Sequence, residues 1–194
     1  MSRAAVSLRD ATLADAPRLV ELWCDVLRRC DAGEQETDLA AVIAAATNDA
    51  DTRIVVAELD GVVGGAVLLK VASMSPLNLE PIVQVIAPHV FPDYRRHGLG
   101  RALMDAAATF AEQRGIAHIG SGSLTASRDG NRFLARLGLG PHAVLRVGST
   151  QTVRAKLEVQ RASRSRAGGR QIGTVLAARR AQRRRQTTVG DLQG

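Results

Sequence analysis

Residues suited to metal or redox chemistry are scarce: the 194 residues contain two cysteines and four histidines. Cys24 and Cys30 are six positions apart, on different faces of any helix through them and at no zinc spacing, so two inert thiols are expected. His89, His97, His118 and His142 do not cluster at ligand spacing, and no metal is expected. Long apolar runs are missing too. The longest, Leu39–Ala46, is far below the ~20 residues of a spanning helix, so no membrane span is expected. Arg9, Asp10 and Asp15 stand where a secretory signal would have its apolar region, which points to a cytoplasmic protein. Lysine is nearly absent, with 2 residues against 24 arginines.

Apolar residues make up 45% of the chain and charged residues 23%, values of an ordinary globular protein that exclude wholesale disorder and collagen-like repeats. Charge is uneven. Residues 1–158 carry 17 Lys+Arg against 18 Asp+Glu, whereas 159–194 carry nine arginines and one acid, Asp191. The formal net charge of +7 therefore belongs to the last stretch, and the chain as a whole does not read as a nucleic-acid binder. The composition predicts a domain over 4–159 and a flexible Arg-rich tail over 160–194, with a short basic helix at 171–186 where Ile172, Val175 and Leu176 recur at three and four.

Periodicity predicts the elements. Val6–Arg9 is a strand, and Thr12–Asp15 resembles a capping box with an acid in the third position. Ala16, Leu19, Val20, Trp23, Val26, Leu27 and Cys30 trace one apolar face of a helix. A polar break over 31–36 follows, then a helix capped by Thr37 and running through Ala46. Arg53–Leu59 and Val62–Val71 are strands joined by an Asp60-Gly61 turn, and Ile82–Phe91 is a third strand with a bulge or free edge at Pro88. Gly98–Arg114 and Asp129–Leu137 are helices around a short strand, Ala117–Ser123. Ala143–Val147 and Val153–Val159 read as a closing hairpin. The order is a mixed α/β, α+β-like pattern.

The chemistry concentrates in Arg95-Arg96-His97-Gly98-Leu99-Gly100-Arg101, between a strand and a helix. A helix start leaves N–H groups without intrahelical partners and carries partial positive charge. Two glycines let the backbone close on an anion, and arginines add forked donors, so a phosphate or pyrophosphate ligand is implied. The Lys of a P-loop is missing, as are the third glycine and distal acid of a dinucleotide fingerprint.

Tyr94–Met104 resembles the acetyl-CoA pyrophosphate signature of GNAT-type N-acetyltransferases, and Val90–Arg95 is similar to the strand end before it. Asn131–Leu139 is similar to the family's second landmark, an Asn opening a later helix with a Lys/Arg-Leu-Gly-Phe-like ending, which here reads Arg-Leu-Gly-Leu. The resemblance spans roughly residues 6–158 and implies a central mixed β-sheet flanked by helices. It implies acetyl transfer from acetyl-CoA to a primary amine of a small molecule or protein, by direct attack in a ternary complex. Arg95, Arg96, His97, Gly98, Leu99, Gly100 and Arg101 would cradle the pyrophosphate, His89 and Val90 would hold the pantetheine and thioester by backbone groups, and Asn131 would bond the CoA arm. The Val90 N–H would stabilise the developing oxyanion.

The chain departs from the family at two positions. Leu134 stands where a Tyr often protonates the thiolate, leaving Ser123, Thr125 and Ser127 as substitutes. Gln84 stands where some members place a basic Glu, so Gln84 would orient a water or the acceptor, while His89 or Glu80 could take the proton. Acids at Asp31, Glu34, Glu36 and Asp38 would attract a cationic acceptor. Two other readings stand beside the enzyme. One is an acetyl-CoA-sensing domain without transfer; the other is a nucleic-acid- or ribosome-associated protein acting through its arginine tail.

Overall fold

The computed structural model describes residues 5–122, 127–143 and 146–161. The chain divides into two units, Met1–Gly140 and Pro141–Gly194.

The first unit is built on a five-stranded sheet in the order β1 to β5. Its strands are β1 (Val6–Asp10), β2 (Thr52–Leu59), β3 (Val62–Ser73), β4 (Pro81–Val90) and β5 (His118–Ser121). Neighbours from β1 to β4 run antiparallel, and β5 joins β4 in parallel. That parallel step requires a crossover, which helix α3 (Leu99–Glu112) supplies. Helices α1 (Ala16–Leu22) and α2 (Ala32–Thr47) precede β2, and α4 (Arg128–Arg136) follows β5.

Alternation along the strands builds two cores. Val55, Ala57, Val67, Leu69, Val83 and Val85 face α3, where they meet Leu103, Ala107 and Phe110, with Leu134 of α4 beside them. Ile54, Val56 and Ala66 point the other way and pack under Leu19 of α1 and Leu39 and Ile43 of α2. Full burial of one such Leu or Ile is worth about 1.5–3 kcal/mol.

Several sequence signals act as expected. Thr12 N donates to Asp15 Oδ2 at 2.7 Å, as an acidic box requires. Arg9 grips the same carboxylate through two nitrogens at 2.7 and 2.8 Å. This pairing holds the buried Asp15 carboxyl down at about 2. Asp60 and Gly61 both adopt positive φ, 51° and 81°, to turn β2 into β3.

Three expectations are corrected. The first helix ends at Leu22 rather than near Cys30. Beyond it, Val26 N and Leu27 N both bond to Trp23 O, so the chain turns. The second helix starts earlier than Thr37, because Asp31 caps it by accepting Glu34 N at 2.8 Å. The polar break is its first turn. Finally, residues 150–161 of the second unit are helical, where a hairpin strand was expected. Ser149 Oγ accepts Thr152 N at 3.1 Å, and Val153 and Leu157, four apart, share a face of this exposed helix. Residues 144–145 of the expected hairpin, and 162–194 with the expected basic helix, lie outside the described residues. Cys24 and Cys30 are free thiols, and Cys24 is exposed.

Candidate active site

The site grows from an irregularity in β4. The β3–β4 register shifts between Ala66 and Leu68, and Ala87 opposite takes a φ of 47°, a bulge next to the expected Pro88. One inserted residue inverts the facing of everything after it. Gln84 and Ile86 lie opposite Lys70 and Leu68, and His89 lies opposite Ala66. Since Leu68 and Ala66 belong to the α1–α2 side, the bulge sets Gln84, Ile86 and His89 on that same face.

The bulge is anchored from a distance. Trp23 is buried, and its indole N–H donates to Ala87 O at 2.8 Å. Two residues past Trp23, the Asp25 carboxylate stands 3.3 Å from His89 Nε2. His89 Nδ1 is buried and has no hydrogen-bond partner.

β4 and β5 pair only from Ile82↔His118 to Val85↔Ser121. From Ile86 to Val90 the β5 side of β4 has no strand partner among the described residues, and this edge is open to that extent. Phe91 N donates to Gly64 O at 2.9 Å, toward β3. Alternation therefore turns the N–H and C=O of Val90 to the open side. The carbonyl there meets Arg95 Nε at a long 3.4 Å. Two β3 glycines allow this close fit. A Cβ on Gly65 would lie 2.7 Å from His89 O, and one on Gly64 would lie 2.6 Å from both Tyr94 and Leu99 side chains.

After Val90 the chain makes a 3₁₀ turn, Pro92–Tyr94, and enters the glycine loop. Arg96 and Gly98 adopt positive φ of 67° and 92°. Gly98 is the N-cap of α3, and no side chain caps this end. The first intrahelical acceptor is Gly98 O, bonded by Ala102 N at 3.0 Å. The N–H groups of Gly98, Leu99, Gly100 and Arg101 thus precede the helix ladder as a row of donors. Gly100 faces Phe133 of α4 and Val90 of β4, at 3.7 and 3.9 Å from a Cβ built on it. The donor row, the open end of β4 and α4 converge there. Asn131, in the first turn of α4, donates from Nδ2 to Ser127 O at 2.9 Å.

Other expected participants lie elsewhere or are already engaged. Leu134 is buried in the core and offers no acid. Ser127 Oγ caps α4 by accepting Gly130 N, and Ser123 and Thr125 lie outside the described residues. Glu80 pairs with His118 at 3.1 Å. Of the four acids at 31–38, three are engaged: Arg28 bridges Glu34 and Asp38, and Asp31 caps α2. Among the described residues no group of three or more metal-ligating side chains occurs, and no helix is long and apolar enough to cross a membrane.

Sequence reasoning missed Trp23, Asp25, Gly64 and Gly65. The paired glycines inside an otherwise apolar strand were the available signal, since strand glycines mark a close backbone approach. The two loop residues carried none, because their partners are 64 positions away.

The profile of the acetyltransferase (GNAT) family matches residues 17–139, the stretch that holds the bulge, the open strand edge and the donor row. The chain belongs to this family. Similar solved structures include a transcriptional regulator from Bacillus halodurans (18% identity, covering 75% of this chain and 100% of that one, TM-score 0.62). An aminoglycoside N-acetyltransferase in complex with CoA is similar at 14% identity, 76% and 96% coverage and a TM-score of 0.63. A ribosomal-protein-alanine N-acetyltransferase from Brucella melitensis biovar Abortus is similar at 22% identity, 75% and 99% coverage and a TM-score of 0.57. These likenesses show the fold. No protein of curated function matches the chain.

Proposed function

We propose that the protein is a cytoplasmic enzyme that moves the acetyl group of acetyl-CoA to a primary amine by direct attack in a ternary complex. The observation that carries this reading is the placement of the donor row Gly98–Arg101 beside the open end of β4, where the Val90 N–H is turned outward. The row and the side chains of Arg95, Arg96, His97 and Arg101 receive the pyrophosphate. His89 and Val90 hold the pantetheine and the thioester by backbone groups, and Asn131 contacts the CoA arm. As the amine attacks, negative charge grows on the thioester oxygen, and the Val90 N–H stabilises it. Gln84 and His89 meet the acceptor on the α1–α2 face, Gln84 as an orienting amide and His89 as the proton acceptor. The thiolate leaves without a tyrosine acid, which its reference pKa near ~8.5 permits.

The test combines acetyl-CoA binding by thermal shift with an acetyl-transfer screen over primary amines. At 100 times the dissociation constant, bound acetyl-CoA adds about 2.7 kcal/mol, a shift of several degrees. A saturable shift with transfer to at least one amine supports the reading. A shift with no transfer favours the acetyl-CoA-sensing alternative, and no shift overturns both. Truncation after Arg161 tests the arginine tail: loss of RNA retention with intact acetyl-CoA binding assigns it a nucleic-acid partner.

A further inference from the structure

We infer that Asp25 is the positioning residue that fixes the His89 tautomer, leaving Nδ1 as the lone pair that takes the acceptor's proton. This rests on the proposed acetyl transfer and names how its proton is handled.

Neutral imidazole carries one proton on either nitrogen, and its hydrogen bonds decide which. His89 Nε2 faces the Asp25 carboxylate, 3.3 Å from Oδ1 and 3.4 Å from Oδ2. A carboxylate only accepts, so it selects Nε2–H. Nδ1 is shut off from water and has no partner. A proton there in the resting protein would be a buried donor with nothing to donate to. Both ends of the ring favour the same tautomer. Unpaired buried nitrogens are rare in folded proteins, and a lone pair held ready for catalysis accounts for the cost of keeping one. The acceptor's nitrogen is the partner it lacks.

The pairing pattern around Asp25 sets it apart. On nearby elements Asp15 is held by Arg9, Glu21 by Arg18, and Glu34 and Asp38 by Arg28. Asp25 faces His89 instead. Other charged side chains lie near the bulge. Arg18 lies over the Phe91 ring at 3.8 Å, and Arg95 bonds Val90 O. Lys70 lies opposite Gln84 on β3. Trp23 ties the start of the Asp25 loop to Ala87 O, two residues before His89, so one strut holds both members of the pair.

The proton balance follows. The acceptor arrives as an ammonium and gives one proton to Nδ1, which frees the nitrogen lone pair. The lone pair forms the C–N bond, the C–S bond breaks, and sulfur leaves with the electron pair. The second nitrogen proton neutralises the thiolate. As the product leaves, water takes its place beside Nδ1 and removes the first proton from the His89 imidazolium, which Asp25 has stabilised.

Two readouts test this. Nitrogen-15 NMR of histidine-labelled protein, with His89→Gln to assign the signal, should show Nε2–H and an unprotonated Nδ1 in neutral His89. A protonated Nδ1 overturns the inference. In acetyl-transfer assays Asp25→Asn should lower kcat at least tenfold, with acceptor KM and acetyl-CoA affinity within about threefold of wild type. Asp25→Glu should recover part of the loss. A kcat within twofold of wild type in Asp25→Asn also overturns it. If wild type transfers to no amine, the proposed function fails, and retention or loss of the Nε2–H tautomer in Asp25→Asn still decides whether Asp25 holds the ring.

Discussion

Replacing Trp23 with Phe tests whether one side chain both stabilises the fold and holds the site. The substitution keeps an aromatic ring in the second core but removes the indole N–H that bonds Ala87 O at 2.8 Å. A net hydrogen bond is worth about 1 kcal/mol, and leaving the bulge carbonyl partly unsatisfied adds to the loss. Trp23 is only 4% exposed. Shrinking an indole to a phenyl ring there adds about 1–2 kcal/mol of lost contact and residual cavity. The expected destabilisation is about 2–3 kcal/mol. Urea unfolding should be followed by far-ultraviolet circular dichroism, because Trp23 is the chain's single tryptophan and fluorescence would lose its probe. The midpoint should fall with an unchanged slope. The His89 NMR signal should also move, since the strut links the Asp25 loop to the bulge. A loss below about 0.5 kcal/mol, the scale of an ordinary surface substitution, would refute the strut.

Other consequences are equally concrete. Asp15 has a folded pKa of about 2 against a reference of 3.8, so its contribution is complete above the reference value and is lost as pH falls toward the folded one. The shift corresponds to about 2 kcal/mol, and Asp15→Asn should be less stable at neutral pH while losing less between about pH 4 and 2, as unfolding titrations will show. Gly65→Ala places a Cβ 2.7 Å from the backbone oxygen of His89; it should cost about 1–3 kcal/mol and weaken CoA binding by displacing the end of β4. Arg96→Gly relieves a positive φ that costs an L-residue roughly 1–2 kcal/mol, so its melting temperature should hold or rise while calorimetry shows weaker CoA binding from the lost cation.

Local signals in the sequence carried over where the neighbours that decide a structure are close in the chain. The Thr12–Asp15 box, the Asp60-Gly61 turn, the Pro88 irregularity and the Gly98 helix start are of this kind. They were enough to locate the donor row and the family. Long-range partners overrode local pattern elsewhere. The apolar spacing continues through Val26, Leu27 and Cys30, yet the helix stops at Leu22 while Trp23 reaches across to Ala87 O. Residues 153–159 alternate like a strand, but Ser149 caps them as a helix. The four acids at 31–38 looked available because the pairing of Arg28 with two of them depends on the loop between α1 and α2. The Asp25–His89 pair was illegible for the same reason: a bulge and a side-chain strut bring together positions 64 residues apart.

The donor site is tested most directly at Gly100. A Cβ there makes only ordinary contacts, 3.7 Å to Phe133 and 3.9 Å to Val90. An acid in the first turn of a helix suits its dipole, so Gly100→Asp should fold with unchanged or slightly raised stability. The same carboxylate sits in the donor row and repels a pyrophosphate. Calorimetric titration of CoA into both proteins should show saturable binding to wild type and at least a hundredfold loss in Gly100→Asp, with Gly100→Ala folded as a neutral control. Equal CoA affinity in wild type and Gly100→Asp would contradict a pyrophosphate site at the start of α3.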